Sequence, residues 1–160
     1  SADQRFVQRY AWQPKENDSN TQPLSVNVAQ EFLLFLRSDE FMWVLSRMFN
    51  VGITDKNVAD PDINTNYFRL GAADFIEQHA DDSPGREVCM LLYLNKDWQK
   101  NSGGELVFKG KDKPVSIAPI FNRCVLFDPA STGSEHWVKA LNAEYADTHR
   151  YNVTSWYWSE

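Results

Sequence analysis

Eight short apolar runs fill the stretch from residue 66 to residue 158: NYFRL, DFIEQH, REVCMLLYL, GELVF, PVSIA, CVLFD, HWVKAL and RYNVTSWYW. Each is fenced by Gly, Pro, Asn, Asp or Ser, so the runs are read as strands joined by turns. Upstream the texture differs. Asn27 has the position of a helix N-cap, with Gln30 in capping-box spacing, and Phe32, Leu33 and Leu36 form a stripe at helical period. Ser38 restarts the pattern, with Asp39 and Glu40 where a helix dipole favours acids. Phe41, Leu45, Met48 and Phe49 follow as a second stripe. Such stripes serve core packing, so both helices are assigned a supporting role.

Helices first and strands afterwards predict an α+β, mainly β, layout: a sandwich or jelly-roll barrel buttressed by helices. Phe6, Val7, Tyr10 and Trp12 suit an edge strand. Residues 13–24 and 52–66 read as polar surface loops. No repeat or low-complexity tract interrupts the chain. One domain is expected over 1–160, with 1–63 as helical support and 64–160 as the jelly-roll core. At 42% hydrophobic residues, 160 residues can bury a core without disulfide staples.

The formal net charge of −6 argues against a nucleic-acid or membrane-surface partner, because phosphate would be repelled. Cys89 and Cys124, each in an apolar run, are expected to be reduced and buried. With no apolar membrane span and no signal-peptide core, the expected location is cytoplasmic.

The chemistry concentrates in a few residues. His79 and Asp81 stand two apart, so a continuing strand would place both on one face. A second histidine from a distant strand would complete a facial triad, a donor set that suits non-haem Fe(II) and leaves positions open. His136, which begins a fresh strand, is favoured for that place over His149, which is read as a surface or structural imidazole. In the last strand Arg150, Asn152, Thr154 and Trp156 share a face. A guanidinium and a hydroxyl so placed can clamp a carboxylate, although a structural ion pair would also explain the arginine. Tyr93 ends a near-continuous apolar strand, so its ring is expected to be buried and its hydroxyl partnered. Tyr67 and Phe75 are read as pocket lining or core, Arg123 as a surface pairing, and Trp98 and Trp137 as candidates for the mouth of a site.

HAD at 79–81, YLNKDW at 93–98, GGEL at 103–106, His136 and RYNVTSWYW at 150–158 together resemble the 2-oxoglutarate/Fe(II)-dependent dioxygenases. Within them the prolyl 4-hydroxylase branch, and its hypoxia-inducible-factor type, is most similar. The resemblance starts near residue 64. It implies a double-stranded β-helix, with His79, Asp81 and His136 as Fe(II) ligands. Arg150 would take the distal carboxylate of 2-oxoglutarate, with Tyr93 and Thr154 as hydrogen-bonding partners. It further implies O2 as cosubstrate, leaves room for ascorbate, and gives succinate and CO2 as a substrate C–H bond is hydroxylated. A carboxylate at position 81 implies hydroxylation rather than halogenation. The expected substrate is a prolyl residue of a peptide or protein. A free amino acid or other small molecule, a non-catalytic jelly-roll module and a cupin-like metal enzyme are the competing readings.

Overall fold

The structure is a computed structural model that describes residues 8–10, 28–54, 64–145 and 147–159. The expected cap at Asn27, the loop at 13–24 and most of the 52–66 loop lie outside the described residues. So do Phe6, Val7 and Trp12.

Two helices precede the strands from residue 65 onward, α1 (Val28–Leu36) and α2 (Asp39–Phe49). Ser38 caps α2, its hydroxyl accepting from the Phe41 N–H at 3.2 Å, and Asp39 and Glu40 occupy the first turn as expected. The core side of α2 runs through Met42, Leu45 and Phe49. Met48, expected in the stripe, is 62% exposed, because it stands about 100° around the helix from Phe49.

Each of the eight apolar runs contains a strand. With β1 (Gln8–Tyr10), which forms where an edge strand was expected, they make two antiparallel sheets. The major sheet joins β1, β2 (Thr65–Leu70), β9 (Arg150–Trp158), β4 (Arg86–Tyr93) and β7 (Cys124–Phe127), in that order. The minor sheet joins β3 (Ile76–His79), β8 (His136–Val138), β5 (Leu106–Phe108) and β6 (Val115–Ile117). Alternation in β4 divides the core into two layers. Val88 and Met90 pack with Val153 and Tyr157 against Leu36, Met42 and Leu45 of the helices. Leu91 and Tyr93 pack between the sheets with Leu70, Leu106, Val125 and Val138. Buried on both faces, β4 reads as a nearly unbroken apolar run.

The helices are also tied to β9 by polar contacts. The Tyr157 hydroxyl donates to the Leu36 carbonyl at 2.9 Å, and the Arg37 guanidinium donates to the Trp156 carbonyl at 2.8 Å. Of the two thiols, Cys89 is fully buried, but Cys124 is exposed, contrary to expectation. Cys124 opens β7, an edge strand of the major sheet, and it is the next residue, Val125, that turns into the core. Among the described residues no helix is long and apolar enough to cross a membrane.

Candidate active site

The two sheets enclose a cavity of about 300 Å³, reached by side chains from both. From the minor sheet come His79 and His136, directly opposite each other in the β3–β8 ladder, with ring centroids 4.4 Å apart. Their register depends on a β-bulge. Ile76 pairs with Val138 and His79 with His136, three steps along β3 against two along β8. In an unbroken strand residues 76 and 79 would face opposite ways; the extra residue turns both onto the cavity.

β3 ends at His79, so the strand does not carry through to Asp81 as the spacing suggested. The carboxylate converges on the histidines all the same. Asp81 Oδ1 lies 3.7 Å from His79 Nε2, and Oδ2 lies 3.8 Å from His136 Nε2. One donor atom from each of the three falls within 4.8 Å of the others, an arrangement that could hold a metal ion. Each imidazole is also oriented from behind. Nδ1 of His79 lies 2.9 Å from the Glu77 carbonyl, and Nδ1 of His136 lies 2.9 Å from that of Ser134. A carbonyl only accepts, so the proton belongs on Nδ1 and the Nε2 lone pair is left to face the cluster. Burial pulls the His136 pKa below its ordinary value, which keeps the ring in its neutral, ligating form. Phe108 and Phe127 pack against that ring.

At another wall of the cavity stands Arg150, 2% exposed. Its Nε donates to the Gly104 carbonyl at 2.9 Å, one amino group to Asn152 Oδ1 at 2.5 Å, and the other to the Tyr93 hydroxyl at 3.4 Å. All three partners are neutral, and no carboxylate of the described residues pairs with it. An internal cation without a counter-ion is costly, and an anion in the cavity would offset that cost. Among the described residues Arg150 has no ion-pair partner, so the competing reading of a structural ion pair finds no support there. Tyr93 is fully buried and partnered, as expected, and burial pushes its phenol pKa up. Thr154 Oγ1 accepts from Asn152 Nδ2 at 2.7 Å, which leaves the threonine proton free to be donated into the cavity.

The alternating face of β9 turns inward as expected, since Arg150, Asn152, Thr154 and Trp156 all line the cavity. His149 lies elsewhere, its ring 5.9 Å from that of Tyr151. Phe75 lines the cavity, whereas Tyr67 packs toward the helices and its hydroxyl donates to the Ala29 carbonyl at 2.8 Å. Arg123 donates to the Ala118 carbonyl on the surface. Neither Trp98 nor Trp137 lines the cavity; Trp137 alternates with His136 and Val138 in β8 and so faces away. Two participants went unassigned in the sequence reading. Asn152 was legible by alternation alone, but Arg86, which contacts Asp81, carries no such signal.

The model of the 2OG-Fe(II) oxygenase superfamily matches residues 65–158, more than half of the chain. The chain belongs to that superfamily. Membership implies Fe(II), 2-oxoglutarate and O2, and the residues present fit them: three convergent metal donors and an internal cation in want of a carboxylate. Among curated proteins, mouse prolyl 3-hydroxylase OGFOD1 is 21% identical over 97% of this chain. The Xenopus laevis protein of the same name is 27% identical over 91%. The chain spans only 27% and 29% of their lengths. Among solved structures, a Pseudomonas putida prolyl-4-hydroxylase aligns with a TM-score of 0.64 at 21% identity, over 86% of this chain and 65% of that one. A Trichoplax adhaerens prolyl hydroxylase, solved with a hypoxia-inducible-factor peptide fragment, aligns with a TM-score of 0.51 at 33% identity, over 59% of this chain and 43% of that one. The double-stranded β-helix expected from the sequence is thus the fold of this oxygenase domain.

Proposed function

We propose that this chain is the catalytic domain of an Fe(II)- and 2-oxoglutarate-dependent hydroxylase acting on a prolyl residue of a peptide or protein. The observation that carries the reading is the meeting, in one cavity, of the His79–Asp81–His136 cluster and the uncompensated Arg150 guanidinium. In this reading residues 64–160 form the core and the preceding segment supports it, all as one domain.

His79 and His136 offer Nε2, and Asp81 a carboxylate oxygen, to the iron. Arg150, with the Tyr93 and Thr154 hydroxyls, receives the distal carboxylate of 2-oxoglutarate. When bound, the iron couples oxidative decarboxylation of 2-oxoglutarate, to succinate and CO2, to insertion of one oxygen atom of O2 into a substrate C–H bond. The chain's own part is geometric and dielectric. Leu91, Leu106 and Val138 wall the cavity with apolar surface, which excludes water and strengthens the clamp on the carboxylate. A peptide substrate is supported by the resemblance to prolyl hydroxylases, one of them solved with a peptide.

The test begins without oxygen. Protein, Fe(II) and 2-oxoglutarate together should give the visible charge-transfer band of a chelated keto acid, and Arg150→Ala should lose it at subsaturating cosubstrate. Absence of the band from wild-type protein that has bound iron would sink the keto-acid reading. With oxygen admitted, proline-containing peptides should gain one oxygen by mass spectrometry, and amino-acid analysis would then assign the hydroxyl to the 3- or the 4-carbon. Turnover on free amino acids but on no peptide would overturn the substrate class.

A further inference from the structure

Asp81 is the one member of the metal cluster that lies outside a strand, yet it is gripped from several sides. The Trp156 indole donates to its Oδ2 at 3.0 Å, across 75 residues of sequence. Arg86 donates to its backbone carbonyl at 2.6 Å and approaches its Oδ1 at 3.5 Å. The Cys89 thiol lies 3.6 Å from Oδ2. Arg86 is held in its turn, its guanidinium 5.4 Å from the Trp156 ring centroid and 4.7 Å from that of Trp158. A tight turn brings it back toward Asp81: the Arg86 N–H donates to the Ser83 carbonyl at 2.9 Å, with Pro84 and Gly85 between and Gly85 at φ +80°.

We propose that Trp156 and Arg86 are positioning residues for Asp81. Together they fix a loop carboxylate at two points, side-chain oxygen and peptide carbonyl, so that it faces the histidines before any metal arrives. The inference rests on the proposed iron site and adds how its least supported ligand is preorganised. The bond to the carbonyl holds the backbone of Asp81, and the bond to Oδ2 restricts rotation about its side-chain bonds. The indole also takes up a lone pair of Oδ2, which biases the carboxylate toward offering the metal its other oxygen.

Arg86 gives the proposal a decisive sign. A cation beside a ligand oxygen repels a divalent ion, so if its charge were its whole effect, Arg86→Gln would tighten metal binding. If it positions Asp81, the same change weakens binding. The apoproteins of wild type, Trp156→Phe, Arg86→Gln and Trp158→Phe are first shown to unfold cooperatively. They are then titrated with Mn(II), and the absorption of their Co(II) forms is recorded. Trp158 is the matched control, because its indole also stacks on Arg86 but donates to Asn64 at 3.0 Å.

Trp156→Phe and Arg86→Gln should each lose roughly 10–100-fold in Mn(II) affinity, the usual cost of removing an outer-shell partner. The Co(II) spectrum should change with Trp156→Phe and not with Trp158→Phe. Wild-type affinity and spectrum in Trp156→Phe, or tighter binding in Arg86→Gln, would overturn the proposal while leaving the iron site standing. A wild-type protein that takes up neither metal would overturn both. If Trp156→Phe does not fold, Arg86→Gln decides.

Discussion

Arg150 is held by the backbone carbonyl of Gly104, a position where a side chain would crowd the arginine itself. Its Nε donates to Gly104, and a β-carbon on Gly104 would lie 3.3 Å from Arg150 Cδ and 3.1 Å from Leu141 Cδ2. Gly104 also sits at φ +75°, where an L-residue costs about 1–2 kcal/mol. Gly104→Ala should therefore displace the guanidinium, weakening 2-oxoglutarate binding by about tenfold while leaving Mn(II) affinity unchanged. Calorimetric titration of both ligands checks this, and equal losses for the two would mean that the damage is not confined to the clamp.

A sharper test of the uncompensated charge is Asn152→Asp. Asn152 Oδ1 already accepts from Arg150 at 2.5 Å, and the residue is 2% exposed. A carboxylate there would supply the counter-ion that the proposed function assigns to 2-oxoglutarate. Cosubstrate affinity should fall by two orders of magnitude or more, in line with about 3 kcal/mol for a buried pair. The thermal midpoint of the apoprotein should hold or rise. Undiminished 2-oxoglutarate binding would show that the distal carboxylate goes elsewhere.

The bulge in β3 makes a separate prediction about the metal cluster. Deleting Gln78 removes the extra residue between Ile76 and His79, so a regular ladder that keeps Ile76 opposite Val138 still sets His79 opposite His136 and on the cavity side. Divalent-metal binding should then survive along with the circular dichroism of the sheets, and its loss would show that the bulge itself shapes the cluster. His149→Ala should keep full metal affinity, because that ring lies outside the cluster, whereas His136→Ala should lose it.

These residues also mark how far the sequence could be read. Alternation along RYNVTSWYW placed Arg150, Asn152, Thr154 and Trp156 on one face, because a long strand buried on both sides has no freedom to shift phase. The same reasoning misdescribed the path from His79 to Asp81. A bulge and a strand end have no periodic signature, and Asp81 is placed by distant partners instead of by its own backbone pattern. Arg86 escaped notice for a related reason: its role depends on a turn and on two indoles about 70 residues away, none of which spacing encodes. In α2 the stripe was found but its centre was misplaced, since period alone does not say which edge of an apolar arc the sheet will cover.

Tyr157 provides a prediction about the frame instead of the site. It is fully buried, and burial pushes its phenol pKa up from the ordinary value of 10 to about 12. Between those values the unfolded chain has lost a proton that the folded chain still holds, so stability falls as pH rises through that window. Tyr157 alone accounts for about 2–3 kcal/mol of that loss. Tyr157→Phe should flatten the alkaline limb of a stability-against-pH curve between pH 10 and 12. At neutral pH the variant should be less stable by about 1–3 kcal/mol, because the Leu36 carbonyl at the end of α1 loses its donor. Urea unfolding across the pH range measures both effects, and an unchanged alkaline slope in the variant would show that Tyr157 is not the group that titrates there.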